Sequence, residues 1–432
     1  MPTNTRTARR WTSFVLLSMT GGVIFQVAYI RFVFLEGTYT ALQLTAQQYG
    51  TIVSIFGGVA AVMYFFGGWF ADKFSPKLLI CVALVGVGVA DLYLATVPGF
   101  TGVLIAHVAM AVMGMGLYWS ALVKAIGMLG DESEQGRLFG FLEGTRGITS
   151  TVVGLIGAAI VSSAVVPSTG VLTLIRIYGV LCFVFAALVW FFVREDRARL
   201  DGLASSTVTL RQLAEAARNK YTWIIGGTIA LAFCFYTTLG YFSPLLENKF
   251  GVGIGAIAVL GVIRSYVFQF VAGPIGGVVV DKVTHSTPRF LRWMFVASAA
   301  MAVAFLLLPK TPGLVWLALA LLVVLCFAVF MSRGVYWATV GELRIPEQQR
   351  GGVIGLASGI AYLPDAVLPA LCAWWIGDPA AGVPEQGGGY DALFVFLIGA
   401  GVLGVALTTL TERLRRRDAR RLPTRASAAV DV

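Results

Sequence analysis

Twelve long apolar runs, separated by short polar segments, occupy most of this 432-residue chain. A helix of about 20 residues crosses about 30 Å of hydrocarbon, and every run reaches roughly that length. The runs, numbered here as spans one to twelve, lie at 12–34, 46–70, 77–96, 101–127, 138–164, 169–193, 222–245, 252–280, 290–309, 313–340, 351–376 and 391–411. None shows the alternating pattern of a membrane strand. We therefore predict an all-α polytopic membrane protein with twelve transmembrane helices, because helices satisfy their own backbone hydrogen bonds in lipid.

The composition excludes an ordinary aqueous domain. Hydrophobic residues make up 58% of the chain and charged residues 12%, and the mean hydropathy is +0.82. Soluble domains carry about 25% charged residues. All five cysteines fall within spans, so we expect no disulfide framework, no metal cluster and no cofactor.

The basic residues predict the orientation in the membrane. If both termini are cytoplasmic, most of the 32 Lys and Arg residues lie on the inner side, and only Lys249 and Lys310 lie in outer loops. This bias predicts a bacterial inner-membrane (plasma-membrane) protein with both termini inside. It also accounts for the net charge of +10. The basic tail from Arg413 to Arg425 is accordingly expected to anchor the chain at an anionic lipid surface, with no nucleic-acid partner.

Two short motifs occur once in each half of the chain. Gly68–Lys73 and Gly277–Lys282 both read Gly-x-x-x-Asp-Lys, and Gly116–Ala121 corresponds to Gly334–Thr339. The repeats predict two pseudo-symmetric six-helix halves. We place the halves at 1–193 and 222–411, joined by a cytoplasmic linker with an amphipathic helix at 194–221 and followed by the tail at 412–432.

The duplicated Gly-x-x-x-Asp-Lys motif resembles the loop signature of the major facilitator superfamily. That resemblance implies a monomeric secondary transporter working by alternating access. Asp72 and Asp281 would face the N-terminal ends of spans eleven and five and brace the outward-open state. The alternative is that they only end helices. Together with their neighbours, the expected gating residues are Asp72, Lys73, Asp281, Lys282, Arg137, Arg350, Arg333 and Lys124.

Ionisable residues inside spans are costly and are the first candidates for function. The cations are Arg31, Lys124, Arg146, Arg264 and Arg333. Only Glu143, Asp365 and the more peripheral Asp91 oppose them. This excess predicts a small anionic solute, and a guanidinium fork suits phosphate, sulfonate or carboxylate oxygens.

Each of these residues also has a structural alternative. Glu143 and Arg146 stand three positions apart and could simply pair with each other. Lys124 and Arg333 lie toward the cytoplasmic ends of their spans, where they could snorkel or gate. The aromatic residues expected to line the cavity, with packing between helices as the alternative, are Tyr29, Tyr118, Trp119, Tyr336 and Trp337.

A narrower resemblance is to the organophosphate/phosphate antiporter family. It rests on Arg9–Trp11, Tyr29–Arg31, Leu44–Gly50, Asn219–Trp223 and Ser243-Pro244. The resemblance implies that Arg31 holds the acid group. The family's span-seven arginine and span-five histidine fall here on Tyr236 and Arg146, departures that weigh against a strict phosphate antiport mechanism. Gly136–Gly147 is similar to segments of sugar-acid and sulfosugar carriers, which leaves sulfonates and carboxylates open.

Two coupling modes remain open at this point. Proton coupling would need a titratable group that is exposed in turn to each side, and Glu143 and Asp365 are the candidates. For Asp365 we expect a cation from another span, Arg264 or Arg333. Exchange against a counter-anion would need neither carboxylate.

Other functions fit the sequence less well. Multidrug/proton efflux is the alternative within transport, but span five lacks the proline-bearing glycine signature of those antiporters. A non-transporting membrane ligand sensor is the alternative of another class, although the tail after Thr411 is short for docking a partner. An enzyme is not predicted, because no nucleophile, base and orienting group converge.

Overall fold

The structure is a computed structural model that describes residues 3–129, 135–193, 215–343, 345, 347–377 and 388–421. Within these ranges the chain forms helices joined by short loops, and they contain no β-strand. Ten of the described helical segments are long and apolar enough, by length and composition, to cross a membrane. The all-α polytopic fold predicted from the sequence is confirmed.

The helices follow the predicted spans closely. Spans one to six comprise Thr3–Val23 with Arg31–Ala41, Ala46–Lys73, Pro76–Leu94, Gly99–Ala111 with Val112–Tyr118 and Trp119–Gly127, Gln135–Ser163, and Pro167–Phe192. Spans seven to nine comprise Lys220–Thr238 with Leu239–Tyr241 and Phe242–Phe250, Ile254–Val262 with Ile263–Val267, Phe268–Val279 and Val280–Thr284, and Thr287–Leu307. Spans ten to twelve comprise Pro312–Leu314 with Val315–Val335, Tyr336–Ala338 and Thr339–Glu342, Glu347–Ala361 with Leu363–Ile376, and Gly389–Arg421.

Side chains of the loop residues fix several helix starts. The Thr45 hydroxyl accepts from the backbone of Gln48, whose side chain accepts in return, which makes a capping box at the start of span two. Ser75 and Ser286 cap spans three and nine, and each is followed within two residues by a proline in the first helical turn. Asn219 caps span seven. These polar caps fix where each span begins.

Span one departs from the sequence prediction. It extends to Ala41 instead of ending at 34, and turns at 24–30 interrupt it. Several backbone N–H groups here donate to the carbonyl oxygen three residues earlier, as Gln26 does to Val23 and Ile30 to Val27, so the regular helical pairing is broken near the middle of the span. Arg31, at the start of the second helix of this span, is buried with 4% exposure.

The second duplicated motif coincides with a helix irregularity in each half. In span four, Val112–Tyr118 is a π-helical segment that ends one residue before Trp119. In span ten, Tyr336–Ala338 is a 3₁₀ turn directly after the long helix. The corresponding tyrosine and tryptophan pairs therefore lie where the backbone changes its winding, and such irregularities often mark functional positions.

The two halves meet most closely on the side of the bundle opposite the chain termini, here called the outer side. Ser54 Oγ of span two accepts a hydrogen bond from the backbone of Ala370 in span eleven, at 3.0 Å. A Cβ on Gly50 would lie 2.6 Å from the carbonyl oxygen of Pro369. These two spans therefore approach so closely on the outer side that only glycine fits there.

Some predictions fall outside the described residues. The linker at 194–214 and the tail beyond Arg421 belong to this group, and so do the side chains of Asp72, Arg137 and Arg350. The domain boundaries accordingly stay predictions. Span twelve continues as a helix to Arg421, so the segment predicted as a tail begins in helical form.

Candidate functional site

A large cavity lies between the two halves. It contains about 2170 Å³ of space not filled by atoms, part of it open to solvent. Its walls come from both halves, including the interrupted segment of span one with Phe25, Gln26 and Tyr29. Because the close contacts between the halves lie on the outer side, the cavity faces the side of the chain termini. We refer to it as the central cavity.

Arg31 and Asp365 close the central cavity toward the outer side. Arg31 Nη2 donates to Asp365 Oδ1 at 2.8 Å, and the two side chains are 5% and 9% exposed. Thr237 Oγ1 of span seven donates to the same carboxylate oxygen at 2.8 Å. We call these three residues the partition, since they join span one of the first half to spans seven and eleven of the second.

A smaller pocket lies beyond the partition. Arg31 lines it together with Tyr49, Tyr241 and the rim residues Asn248 and Lys249. All come from the ends of spans that lie away from the termini, so we call it the outer pocket. The predicted substrate arginine of span one therefore lines the outer pocket in this conformation, and the partition residue that lines the central cavity is Asp365.

Arg146 lies in the wall of the central cavity with Glu143. Its Nη1 is 2.6 Å from Glu143 Oε1, so the pairing within span five that the sequence left open is present. The guanidinium also lies 4.8 Å from the ring centroid of Trp119. Glu143 is 52% exposed at its side chain and Arg146 is 18% exposed, so both remain accessible to a solute in the cavity.

Arg333 is the cavity cation without a carboxylate partner among the described residues. The sequence predicts it as a gating residue near the cytoplasmic end of span ten, and it lies in the wall of the central cavity. Its guanidinium stacks 3.7 Å from the ring centroid of Tyr236. The buried Nη1 atom has no hydrogen-bond partner in the described part of the chain. Leaving a charged donor unpaired is costly, so an anionic ligand would stabilise this arrangement.

Aromatic residues cover much of the cavity wall. Of the predicted set, Tyr29, Trp119, Tyr236, Tyr336 and Trp337 line the cavity. The cavity is also lined by residues not predicted from the sequence, Gln26, Tyr64, Ser150, Ser265, Gln269 and Tyr362. None of them carries a charge, so none stands out as a costly ionic group within an apolar span. Polar side chains within apolar spans were the signal that could have found them.

Three predicted site residues lie elsewhere. Tyr118 is fully buried, and its hydroxyl lies 2.7 Å from that of Thr20, so it packs span four against span one. Arg264 is buried and donates from Nη2 to the carbonyl oxygen of Phe32, which ties span eight to span one. Lys124 donates to the carbonyl oxygen of Ala71 at 2.8 Å, next to the first Asp-Lys motif.

The second Asp-Lys motif lies at the end of span eight, next to a short loop that is held by hydrogen bonds to carboxylates. Asp281 and Lys282 are exposed in the last helical turn of that span. Ser286, in the loop that follows, donates to Glu412 Oε2 at 3.0 Å, and the backbone of Thr287 donates to Glu342 at 2.6 Å. Arg415 bridges Glu342 and Glu412. Spans ten and twelve therefore fix the position of this loop, a connection that the sequence analysis did not predict.

The chain is similar to several curated membrane proteins. It is 30% identical over 423 residues to the inner membrane protein YqcE of Escherichia coli (strain K12), covering 95% of this chain and 96% of that protein. It is 24% identical over 384 residues to the hexuronate transporter of Bacillus subtilis (strain 168), covering 84% and 85%. A segment of 74 residues, 17% of this chain and 16% of the relative, is 42% identical to the probable sulfoacetate transporter SauU of Cupriavidus necator.

A solved transporter structure and a family model also match this chain. The crystal structure of a D-xylose-proton symporter superposes with a TM-score of 0.68 at 17% identity, covering 92% of this chain and 96% of that one. The family model of the Major Facilitator Superfamily matches residues 13–369. This match confirms the predicted twelve-helix fold, with transport rather than enzymatic catalysis as its function. The chain belongs to the Major Facilitator Superfamily and is a multi-pass transporter of the bacterial inner membrane.

Proposed function

We propose that the protein transports a small organic anion by alternating access, with the acid group held in the central cavity by Arg333 and Arg146. The observation that carries this proposal is the charge balance of the site. The arginines at positions 31, 146 and 333 face two carboxylates, Glu143 and Asp365, so one positive charge stays uncompensated. A monovalent anion would neutralise it.

The positions of the two cavity arginines suit a transported ligand. Arg146 belongs to the first half and Arg333 to the second. A ligand that contacts both would bind differently when the halves move apart, and this difference in binding is what drives a conformational equilibrium. Guanidinium forks bind carboxylate, sulfonate and phosphate oxygens in the same way. The acid group alone therefore leaves all three classes open.

The uncharged part of the wall suits a hydroxylated carbon skeleton. Tyr29, Tyr64, Tyr336 and Tyr362 supply aromatic faces together with hydroxyl groups, and Gln269 supplies an amide. Carbon–hydrogen faces pack on aromatic rings while hydroxyls pair with the polar tips. A sugar acid combines these features, and the relative named a hexuronate transporter supports this class. The short similarity to a probable sulfoacetate transporter supports keeping sulfonates beside it.

The coupling mode depends on whether a carboxylate of the site, Glu143 or Asp365, takes up a proton during transport. Glu143 would be freed for protonation if the solute's acid group took over Arg146, which would give proton coupling. Exchange against another anion would proceed without this step. The positive-inside bias supports placing both termini, and hence the open end of the central cavity in this conformation, at the cytoplasmic side.

Counterflow in proteoliposomes tests the proposal. Vesicles loaded with D-glucuronate, sulfoacetate or glycerol 3-phosphate should accumulate the matching labelled compound, and the cationic dye ethidium should not exchange. Protein-free vesicles are the control. Exchange of ethidium without exchange of any anion would refute the proposal in favour of drug efflux.

A further inference from the structure

Three buried polar atoms at the outer pocket lack hydrogen-bond partners among the described residues. They are Nε and Nη1 of Arg31 and the hydroxyl of Tyr49. Arg31 is 4% exposed and Tyr49 is 1% exposed, and both line this pocket. Buried donors are nearly always paired in native proteins, so unpaired donors beside a pocket indicate a ligand.

The geometry of the partition leaves one edge of the Arg31 guanidinium available. Asp365 accepts from Nη2 alone, while Nε and Nη1 have no acceptor. A guanidinium can donate from two nitrogens to the two oxygens of one acid group. Tyr49 and Tyr241 line the same pocket as this cation. The Tyr241 hydroxyl already donates to the carbonyl oxygen of Pro369 at 2.8 Å, so of these two tyrosines Tyr49 is the one whose hydroxyl is left to donate.

We propose that the outer pocket is a second anion site, in which Arg31 and the Tyr49 hydroxyl bind the acid group of the transported anion before the partition opens. This inference rests on the proposed function. The pocket contains about 600 Å³ of space not filled by atoms, part of it open to solvent. Its apolar wall includes Leu35, Val53 and Ile376.

The rim of the outer pocket carries charges of both signs. Lys249 adds a positive charge at the rim of the pocket. Glu36 lies nearby and accepts from Asn248 at 3.2 Å. The rim is therefore mixed in sign, and selectivity for anions must come from Arg31 at the floor.

Occupation of the outer pocket would weaken the partition. An acid group at Nε and Nη1 would share the charge of Arg31 with Asp365, so the arginine would no longer depend on that carboxylate for neutralisation. Breaking the contact between Arg31 and Asp365 would then leave no buried cation unpaired. Anion arrival on the outer side would thus favour separation of spans one and eleven, and the anion could pass to the central cavity.

The variant Tyr49→Phe removes only the unpaired hydroxyl and tests the site. Binding of labelled D-glucuronate and sulfoacetate would be measured on right-side-out and inverted membrane vesicles, with the exposed side assigned by protease access to a C-terminal tag. We expect the half-saturating concentration to rise at least tenfold on the side away from the termini, and to stay unchanged on the side of the termini. The matched control is Tyr178→Phe, which loses a tyrosine hydroxyl that contacts Val153 at 3.4 Å and lines neither pocket.

Several results would overturn the inference. An equal rise on both sides, or no rise on either side, would mean that Tyr49 contributes to no separate outer site. Wild-type vesicles that bind neither these two probes nor glycerol 3-phosphate on either side would refute the proposed function as well, which distinguishes the two failures.

A second measurement does not depend on the folding of the Tyr49 variant. Asn248→Cys places a thiol at the rim, and the five native cysteines are buried, so labelling with a membrane-impermeant thiol reagent reports the rim. We expect D-glucuronate or sulfoacetate added on the outer side to slow this labelling. An unchanged labelling rate at saturating probe would contradict an occupied outer pocket.

Discussion

Removing the carboxylate of the partition should shift the protein away from the conformation described here. In Asp365→Asn the guanidinium of Arg31 stays buried at 4% exposure and loses its ionic partner. An asparagine amide supplies a neutral acceptor in its place. The loss is specific to this conformation, because the halves separate around Arg31 when the outer side opens and water can then reach the cation.

The free-energy cost of removing Asp365 follows from the burial of both members of the ion pair. Breaking a buried ion pair by removing one member costs about 3–5 kcal/mol, much of it from the charge that is left behind. Even about 1.4 kcal/mol of state-specific cost changes the ratio of two conformations tenfold. Arg31→Gln leaves Asp365 as the buried charge and should act in the same direction. The double variant leaves neither charge and should return toward the wild-type ratio.

Spin labels on the outer side can measure this ratio. Gln47→Cys at the start of span two and Thr311→Cys before span ten are both exposed and belong to different halves. We expect each single variant to move the distance distribution toward longer separations and the double variant to reverse most of that change. The four proteins form a double-mutant cycle whose coupling measures the partition. Unchanged distances in both single variants, or purely additive shifts, would refute the role of the ion pair.

Three further predictions concern the same conformational cycle. Gly57→Ala should open the outer side, because its Cβ would overlap the carbonyl group of Asp365, whereas the control Gly58→Ala meets Ala366 Cβ at an ordinary 3.7 Å and should leave the spin-label distances unchanged. Glu143→Gln should abolish uphill transport and spare counterflow if coupling is protonic; uphill transport that survives and depends on a trans anion would instead indicate exchange. Asp72→Asn and Asp281→Asn should each populate the inward-open state about tenfold more, read by cysteine accessibility at the cytoplasmic mouth, and unchanged accessibility in both would leave these aspartates as helix ends only.

The sequence predicted the spans well because apolar length is a direct requirement of the bilayer. The predicted span boundaries are wrong where contacts between distant spans determine how far a helix extends. Span one passes beyond its apolar run to Ala41, and Arg31 within it pairs with a residue 334 positions away, which a hydropathy pattern cannot register. Span twelve likewise continues to Arg421, beyond its apolar limit, and its extension pairs with the loop before span nine.

The sequence indicates which ionisable residues belong to the candidate site, but it does not indicate which of them pair with each other across spans. The pairing of Glu143 with Arg146 was readable, since both stand on one helix face three positions apart. For Asp365 the sequence suggested Arg264 or Arg333, and the partner is Arg31. Spacing along a chain says nothing about which distant spans face each other. Arg333 likewise lies in the cavity wall because the surrounding stretch of span ten, including Phe330 and Gly334, faces the cavity.

The affinity of the variant Arg333→Gln for the anion tests the central claim most directly. Binding of the compound identified by counterflow would be measured by titration calorimetry on purified wild type, on Arg333→Gln and on the control Arg292→Gln, whose side chain contacts Thr409 at 3.4 Å outside the cavity. Losing a hydrogen bond to a charged group costs about 1.5–3 kcal/mol, so we predict at least a tenfold weaker Kd for Arg333→Gln and an unchanged Kd for the control. Equal affinity in all three proteins would contradict an anion site built on Arg333.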